Sequence, residues 1–473
     1  MSEVVLIHPP VSFNQIIAGG YDNIPPLGIL YLAAVLEEEK ISVKVVDDLD
    51  ASLSLVEIIK TIKKDQPKIV GISSTTSQIK STVEIAKALK REFHDGIIIG
   101  IGGCHVSADT GIIKKFPFFD FCVVGEGEIT FTEIAKDIIS NNKKIKGVFI
   151  GKPVENLDKL PFPAYRLVDM DRYKSKGMTD YPIISTRGCP MKCIFCSRPG
   201  MSGFGRMVRS RSPENIIKEI ESVCGEYNGR FNFQDDSFTV DREKTFKFCK
   251  EVIKRKLKIK WCAGGVRIDK VDEEIVDLMY KAGCTGFCFG IESGSERVRN
   301  MIVHKGIWDN QIINALKICS KYPLDVQLSL VIGFPTETIE EMRETVMFGK
   351  RMVDLGINCL EFIAIMLAVP LPGAELFTQA VNESKIPSNI VDKYIKGELG
   401  EGFRDNWPVY IPDEITLQQM NNLRRKGYQS FYFSPYYIKR RIKKDISSPG
   451  RLKRDFKEVI SIIKSARSRA SFS

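Results

Sequence analysis

With 473 residues, 43% of them hydrophobic and 27% charged, the chain is long enough for two or three domains with ordinary globular cores. No apolar stretch approaches the roughly 20 residues of a membrane span, and Met1-Ser-Glu-Val-Val-Leu-Ile lacks the basic start of an export signal, so a cytoplasmic location is expected. The net charge of +10 is a property of the tail: from Arg424 to Ser473 there are 15 Lys and Arg against 3 Asp and Glu, which leaves about −2 on the first 423 residues.

Residues 3–8 read as a buried strand, followed by a Pro-rich loop and a helical pattern from Leu27 to Glu39. Strand and helix then alternate: strands at 43–46, 68–73, 96–101 and 119–124, helices at 53–63, 79–91 and 128–139. Apolar strands alternating with amphipathic helices predict a doubly wound parallel sheet over residues 1–145. Ligands of such sheets bind outside the carboxyl ends of the strands. The loops there are rich in small residues: Ser73-Ser-Thr-Thr-Ser77, Gly102-Gly-Cys-His-Val-Ser107 and Gly125-Glu-Gly-Glu128. They would let backbone N–H groups approach a phosphate or a flat cofactor. Residues 146–180 carry Pro153, Pro161 and Pro163 without a long periodic pattern and read as a linker.

From residue 181 the alternation restarts and yields six strand–helix units, too few for a closed eight-stranded barrel. Directly after the first of these strands comes Arg187-Gly-Cys-Pro-Met-Lys-Cys-Ile-Phe-Cys196, with Cys189, Cys193 and Cys196 in a C-x3-C-x2-C run. Three thiolates on one loop can hold a cubane iron-sulfur cluster and leave one iron open. Zinc would call for a second C-x2-C or an H-x3-5-H nearby, and none follows. Cys122, Cys262 and Cys359 stand alone in predicted strands, and Cys284 and Cys288 lie in or beside another, which fits core packing in a reducing compartment better than a disulfide framework.

The cysteine run, with Phe195 before its last thiol, resembles that of the radical S-adenosylmethionine (SAM) enzymes. The Pro25–Gly28 segment and the three glycine- and serine-rich loops look like the cobalamin-binding domain that precedes many such cores. The resemblance covers roughly residues 3–375. It implies a partial (β/α)6 barrel over 181–378, a 4Fe-4S cluster on Cys189, Cys193 and Cys196, SAM bound at the open iron, and cobalamin in the first domain. It further implies SAM contacts from Phe195, from one of Asp235 and Asp236 (with Asp236 preferred), and from Glu292 at the ribose and Gly333 at the adenine. Arg267 is read either as a contact to the SAM carboxylate or ribose or as a surface cation. Cobalamin contacts are expected from Ser73, Ser74, Thr75, Gly102, Gly103, His105, Gly125, Glu126 and Gly127. The D-x-H-x-x-G pattern of a cobalt-ligating histidine is absent: Gly103 and Ala108 stand where Asp and Gly are required around His105. No histidine is therefore expected on the lower face of cobalt.

The activity implied is reductive cleavage of SAM to methionine and a 5'-deoxyadenosyl radical, with methyl transfer to an unactivated carbon or phosphorus centre. The alternatives are ring formation or rearrangement without methyl transfer, a tRNA methylthiotransferase, and a non-catalytic iron-sulfur protein. The methylthiotransferase reading is weakened because the first domain offers only Cys104 and Cys122 for a second cluster. Expected partners are a small-molecule or lipid substrate and an electron donor such as flavodoxin or ferredoxin. Residues 379–473 fit neither domain pattern and are expected to be basic and mostly helical. Their stretch Phe431-Tyr-Phe-Ser-Pro-Tyr-Tyr-Ile438, followed by Lys439-Arg-Arg-Ile-Lys-Lys444, fits three uses: a helical cap over the barrel mouth, contact with an anionic membrane, or, less favoured, nucleic acid.

Overall fold

The computed structural model describes residues 1–11, 24–47, 53–197, 207–399 and 407–445. Its first sheet has six parallel strands in the order β2-β1-β3-β4-β5-β6. They are β1 (Val4–His8), β2 (Val43–Asp47), β3 (Ile69–Ser73), β4 (Ile98–Gly102), β5 (Phe121–Val124) and β6 (Gly147–Ile150). Val4 to Ile7 and Ile69 to Ile72 are buried without alternation because helices cover both faces, as the near-continuous apolar runs require. The reversal of strand order between β1 and β3 creates the switch point at which such sheets bind ligands.

One strand departs from the sequence reading. Residues 147–150, expected within the linker, pair with β5 as the edge of the sheet. Val148 and Ile150 face outward and are exposed, so this strand shows neither a buried run nor a polar outer face. The rest of the segment stitches the two halves together. Ala164 N donates to Leu30 O at 3.1 Å, and the Tyr165 hydroxyl donates to Pro182 O at 2.8 Å. Tyr165 and Tyr181 pack as tilted rings with centroids 4.6 Å apart, and a single core runs from Leu30 and Phe131 through to Ile183 and Phe231.

The second sheet is the expected open barrel of six parallel strands, ordered β14-β13-β12-β11-β10-β7. These are β7 (Tyr181–Ile183), β10 (Arg230–Phe233), β11 (Lys260–Val266), β12 (Cys284–Glu292), β13 (Asp325–Ile332) and β14 (Leu360–Leu367). A short antiparallel pair, β8 (Thr186–Arg187) and β9 (Arg209–Ser210), brackets the cysteine loop. Phe233, Phe238, Phe248 and Trp261 meet beside β10 and β11 with centroids 4.8 to 5.7 Å apart. Burying such a ring contributes about 2 kcal/mol.

The C-terminal helices correct the mouth-cap expectation. The helix Leu417–Tyr432 and the following Pro435–Asp445 run down the free edge of β14 instead of lying across the barrel mouth. The Tyr428 hydroxyl accepts from Ile365 N at 2.9 Å and donates to Ile365 O at 3.0 Å. The Tyr432 hydroxyl does the same at Ile363, at 3.2 and 3.0 Å, and Tyr436 donates to Leu360 O at 2.9 Å. An open strand edge presents unpaired backbone groups, and three tyrosines at i, i+4 and i+8 satisfy them. Arg440 and Arg441 pair with Glu361, and Arg440 also pairs with Asp325. The part of the basic tail beyond Asp445 lies outside the described residues. No described helix is long and apolar enough to cross a membrane.

Candidate active site

The three small-residue loops of the first sheet are hydrogen-bonded in series along its carboxyl edge. Ser74 N donates to Gly102 O at 2.9 Å and His105 N to Ser74 O at 3.0 Å; Ser107 Oγ donates to Gly103 O at 3.0 Å and accepts from Gly125 N at 2.8 Å. Gly103 is needed for this closeness. Its φ is +93°, and a Cβ there would stand 2.7 Å from Ser74 O. Thr75 is exposed on the rim, and at Gly127 the place of a Cβ has no atom within 4 Å. This low rim fits a broad, flat cofactor laid across the strand ends.

The side chains of three residues expected at cobalamin, His105, Glu126 and Ser74, are engaged elsewhere in the structure. The His105 side chain is wholly enclosed, with Nδ1 3.1 Å from Thr76 Oγ1 and Nε2 without a partner among the described residues. Burial pushes its pKa down to about 4, so the ring is neutral near pH 7. Glu126 turns toward the barrel, where Arg209 takes both carboxylate oxygens at 2.9 and 2.5 Å and Val154 N donates at 3.0 Å. Ser74 is also fully buried and serves the loop itself: its hydroxyl accepts from Thr82 at 3.0 Å. In sequence, a polar residue in a glycine-rich loop reads as rim whichever way its side chain points.

On the barrel side, β8 leads directly into the thiol loop. Gly188 N donates to Asp236 Oδ2 at 3.2 Å, Ile194 N to Val303 O at 3.3 Å, and Leu376 N to Ile194 O at 2.9 Å. Cys196 N donates to Cys193 O at 3.0 Å, turning the last two thiols around one bend. Among the described residues no three Cys, His, Asp or Glu side chains converge on one ion. A cubane binds each thiolate at a separate iron corner, so its ligands need a common loop and not a common point. Burial holds the Cys193 thiol above its usual range, while the Lys305 and Arg267 charges act the other way and favour a thiolate. This donor set fits a cluster.

The remaining barrel residues gather at the same strand ends. Asp235 is buried and accepts from Ser185 N at 2.6 Å and Thr186 N at 3.1 Å, so it braces the turn after β7. Asp236 is the member of the pair beside the cysteine loop. Arg267 is not a surface cation: it is 8% exposed, with Nε 2.9 Å from Asp269 Oδ1 and Nη2 3.0 Å from Lys305 O. Glu292 ends β12 with φ +68° and accepts from Lys305 Nζ at 2.7 Å. Gly333, with φ +94°, and Phe334 donate their N–H groups to Glu337 at 2.6 and 2.9 Å. Phe195 packs on Phe334 with centroids 5.9 Å apart.

Sequence reasoning missed Lys305, Glu337 and the paired charges around the cysteine loop. Arg187, two residues before Cys189, meets Glu128 at 2.7 Å and Glu126 at 3.5 Å. Its only sequence signal is its place next to the motif.

Known proteins agree with this geometry. The model of the Radical SAM superfamily matches residues 183–349, and that of the B12 binding domain matches residues 16–135. An uncharacterized methyltransferase of Pyrococcus horikoshii is 34% identical over 427 residues, covering 87% of this chain and 88% of the relative. The cytidylyl-2-hydroxyethylphosphonate methyltransferase of Streptomyces wedmorensis is 26% identical and covers 76% and 78%. The cobalamin-dependent SAM radical enzyme OxsB, solved with aqua-cobalamin and SAM bound, shares the fold at a TM-score of 0.66 and 18% identity, over 98% of this chain and 71% of that one. The cofactors are accordingly a 4Fe-4S cluster, SAM and cobalamin. The chain belongs to the radical SAM superfamily, in the group of methyltransferase-like enzymes that carry a B12-binding domain ahead of the barrel.

Proposed function

We propose that the enzyme transfers a methyl group to an unactivated carbon or phosphorus centre of a small-molecule or lipid substrate, with an electron supplied by a flavodoxin or ferredoxin. The observation that carries this reading is the meeting of the two halves at one point. A Cβ on Gly373, in the loop after β14, would stand 2.8 Å from Ala108 Cβ beside the first-sheet rim and 3.7 Å from Ser197 Cβ beside the last cluster thiol. Substrate entering along the loop after β14 would therefore lie between both cofactor sites.

When bound, the cluster with SAM supplies a 5'-deoxyadenosyl radical, and cobalamin supplies a transferable methyl group. Cys189, Cys193 and Cys196 hold the cluster, and Asp236, Glu292 and Gly333 orient SAM. The buried Ile194 backbone, tied to Val303 and Leu376, fixes the loop against the barrel. Phe195 and Phe334 keep water from the space between. Anaerobically reconstituted enzyme given methyl-labelled SAM should form labelled product together with S-adenosylhomocysteine and 5'-deoxyadenosine. SAM cleavage with no labelled product would favour ring chemistry instead.

A peripheral contact with an anionic membrane is part of the same proposal. With Arg440 and Arg441 turned inward, the helix Pro435–Asp445 presents Ile438, Lys439, Ile442 and Lys443 outward beside the exposed Phe433. That apolar and basic face suits an acidic lipid surface. Co-sedimentation with phosphatidylglycerol vesicles should fall on Ile438→Asp/Ile442→Asp substitution; unchanged binding would remove this part.

A further inference from the structure

Lys305 belongs to no expected part of the site, yet the fold goes to some length to place it. It follows a π-helical turn, Val298–Ile302, a form often found at functional sites. His304 and Glu292 both take left-handed backbone conformations without being glycine, with φ +59° and +68°. Such residues cost of order 1 kcal/mol each and cluster where geometry serves function. The turn is anchored beneath by Arg299, which is completely buried and donates to Ser293 O and Ile307 O, both at 2.7 Å. It is anchored above by Ile194 N on Val303 O, which presses the segment against the loop between Cys193 and Cys196.

The outcome is an ammonium 12% exposed and 2.7 Å from the Glu292 carboxylate, on a segment hydrogen-bonded to the cysteine loop through Val303 O and Ile194 N. Glu292, Arg267 and Asp269 are the charged groups around it. Arg267 and Asp269 are paired with one another at 2.9 Å, which leaves the Lys305–Glu292 pair as the less compensated dipole. Val303, two residues before Lys305, accepts from Ile194 N at 3.3 Å, so the lysine end of the pair is the one tied to the cysteine loop.

We propose that Lys305 is a positioning residue for charge: it holds Glu292 in place and sets a fixed cation beside the cluster, which raises the cluster's reduction potential. One-electron reduction adds a unit of negative charge to a cluster that already carries three thiolates, with no bond made or broken. A buried cation nearby favours the reduced state because the enclosed site screens it poorly. The proposal needs only the cluster, so it stands or falls independently of methyl transfer.

The experiment is an EPR-monitored titration of the reconstituted cluster with dithionite, with iron and sulfide content measured for every protein. Lys305→Met should lower the midpoint by the equivalent of at least a tenfold change in the reduction equilibrium, about 59 mV for one electron. Lys305→Arg should restore most of it. Lys305→Met/Glu292→Gln removes both charges, leaves no buried orphan, and should lie between Lys305→Met and wild type. A Lys305→Met protein with full iron and sulfide and an unmoved midpoint would overturn the proposal. So would equal shifts in Lys305→Met and Lys305→Arg, which would mark a packing effect. If Lys305→Met does not assemble a cluster, the double variant decides: a midpoint equal to wild type counts against the cation.

Discussion

Arg209 Nη1 lies 2.9 Å from Glu126 Oε2, joining the strand that closes the cysteine loop to the loop after β5 of the cobalamin domain. Arg187, which opens the same loop, pairs with Glu128 at 2.7 Å. Both sides of the thiol loop are thus tied to one short stretch of the other domain. Arg209→Met leaves Glu126 with Arg187 at 3.5 Å and Val154 N as partners and should destabilise the protein by roughly 1.5 to 3 kcal/mol, the range for losing a charged hydrogen bond. Adding Glu126→Gln should recover part of the loss. A coupling of at least about 1 kcal/mol is expected from thermal or denaturant unfolding of the four proteins.

Cys193 is one of the three thiols proposed to hold the cluster, and the Lys305 and Arg267 charges favour its thiolate. Cys193→Ala should leave the fold intact by circular dichroism while abolishing the cluster's visible absorbance and reducing SAM cleavage to background. Unchanged absorbance and SAM cleavage would remove Cys193 from the proposed cluster ligands.

Tyr428 and Tyr432 each satisfy one N–H and one C=O of the β14 edge. Tyr432→Phe strands both groups at Ile363 and Tyr428→Phe strands Ile365 N–H, whose carbonyl keeps Arg424 Nε at 2.9 Å; each change should cost roughly 1 to 3 kcal/mol. The double variant should also self-associate, because the freed edge can pair with a second copy. Light scattering at matched concentrations tests this; a stable, monodisperse double variant would contradict the edge-sealing role.

Cobalt should have no histidine beneath it. His105 is enclosed, His94 lies in the turn before β4 at the opposite end of the sheet, and His304 lies on the barrel. His8 ends β1 near the rim but binds Asp47 through Nδ1 at 2.8 Å. Any nitrogen superhyperfine splitting in the EPR spectrum of the bound cobalt(II) form should therefore be unchanged by 15N-labelling of the histidines. Splitting that disappears in His8→Ala would instead assign His8 as the ligand.

Burial raises the Glu337 pKa to about 8, against bonds from Phe334 N and Gly333 N that lower it. A carboxyl raised in the folded state binds a proton that the unfolded chain has lost. Its contribution is thus complete below about pH 4.5 and is lost as pH rises toward 8. His105, lowered to about 4, has the opposite slope, but only below its unfolded pKa of about 6.5. Between pH 6.5 and 8 Glu337 adds a downward slope of up to about 1.4 kcal/mol per pH unit. Melting temperatures of Glu337→Gln should show this slope removed relative to wild type.

Local pattern determined much of this protein. Apolar runs alternating with amphipathic helices led to both parallel sheets and to all six barrel strands, since each strand there is buried by helices next to it in sequence. The cysteine spacing led to the cluster because its three ligands fit on one short loop. What only the tertiary structure decided lies in pairings between segments far apart in the chain. Edge strand β6, exposed at Val148 and Ile150, follows no burial pattern. Glu126 and His105 sit in loops whose composition speaks of a rim, but the direction of each side chain depends on Arg209 and Thr76, 83 and 29 residues away. Lys305 reaches Glu292 only because a π turn folds back on β12. The aromatic and basic stretch after Phe431 reads first as a cap, then as a membrane face and last as a nucleic-acid contact until the open edge of β14, created when the barrel stops at six strands, supplies the backbone groups its tyrosines satisfy.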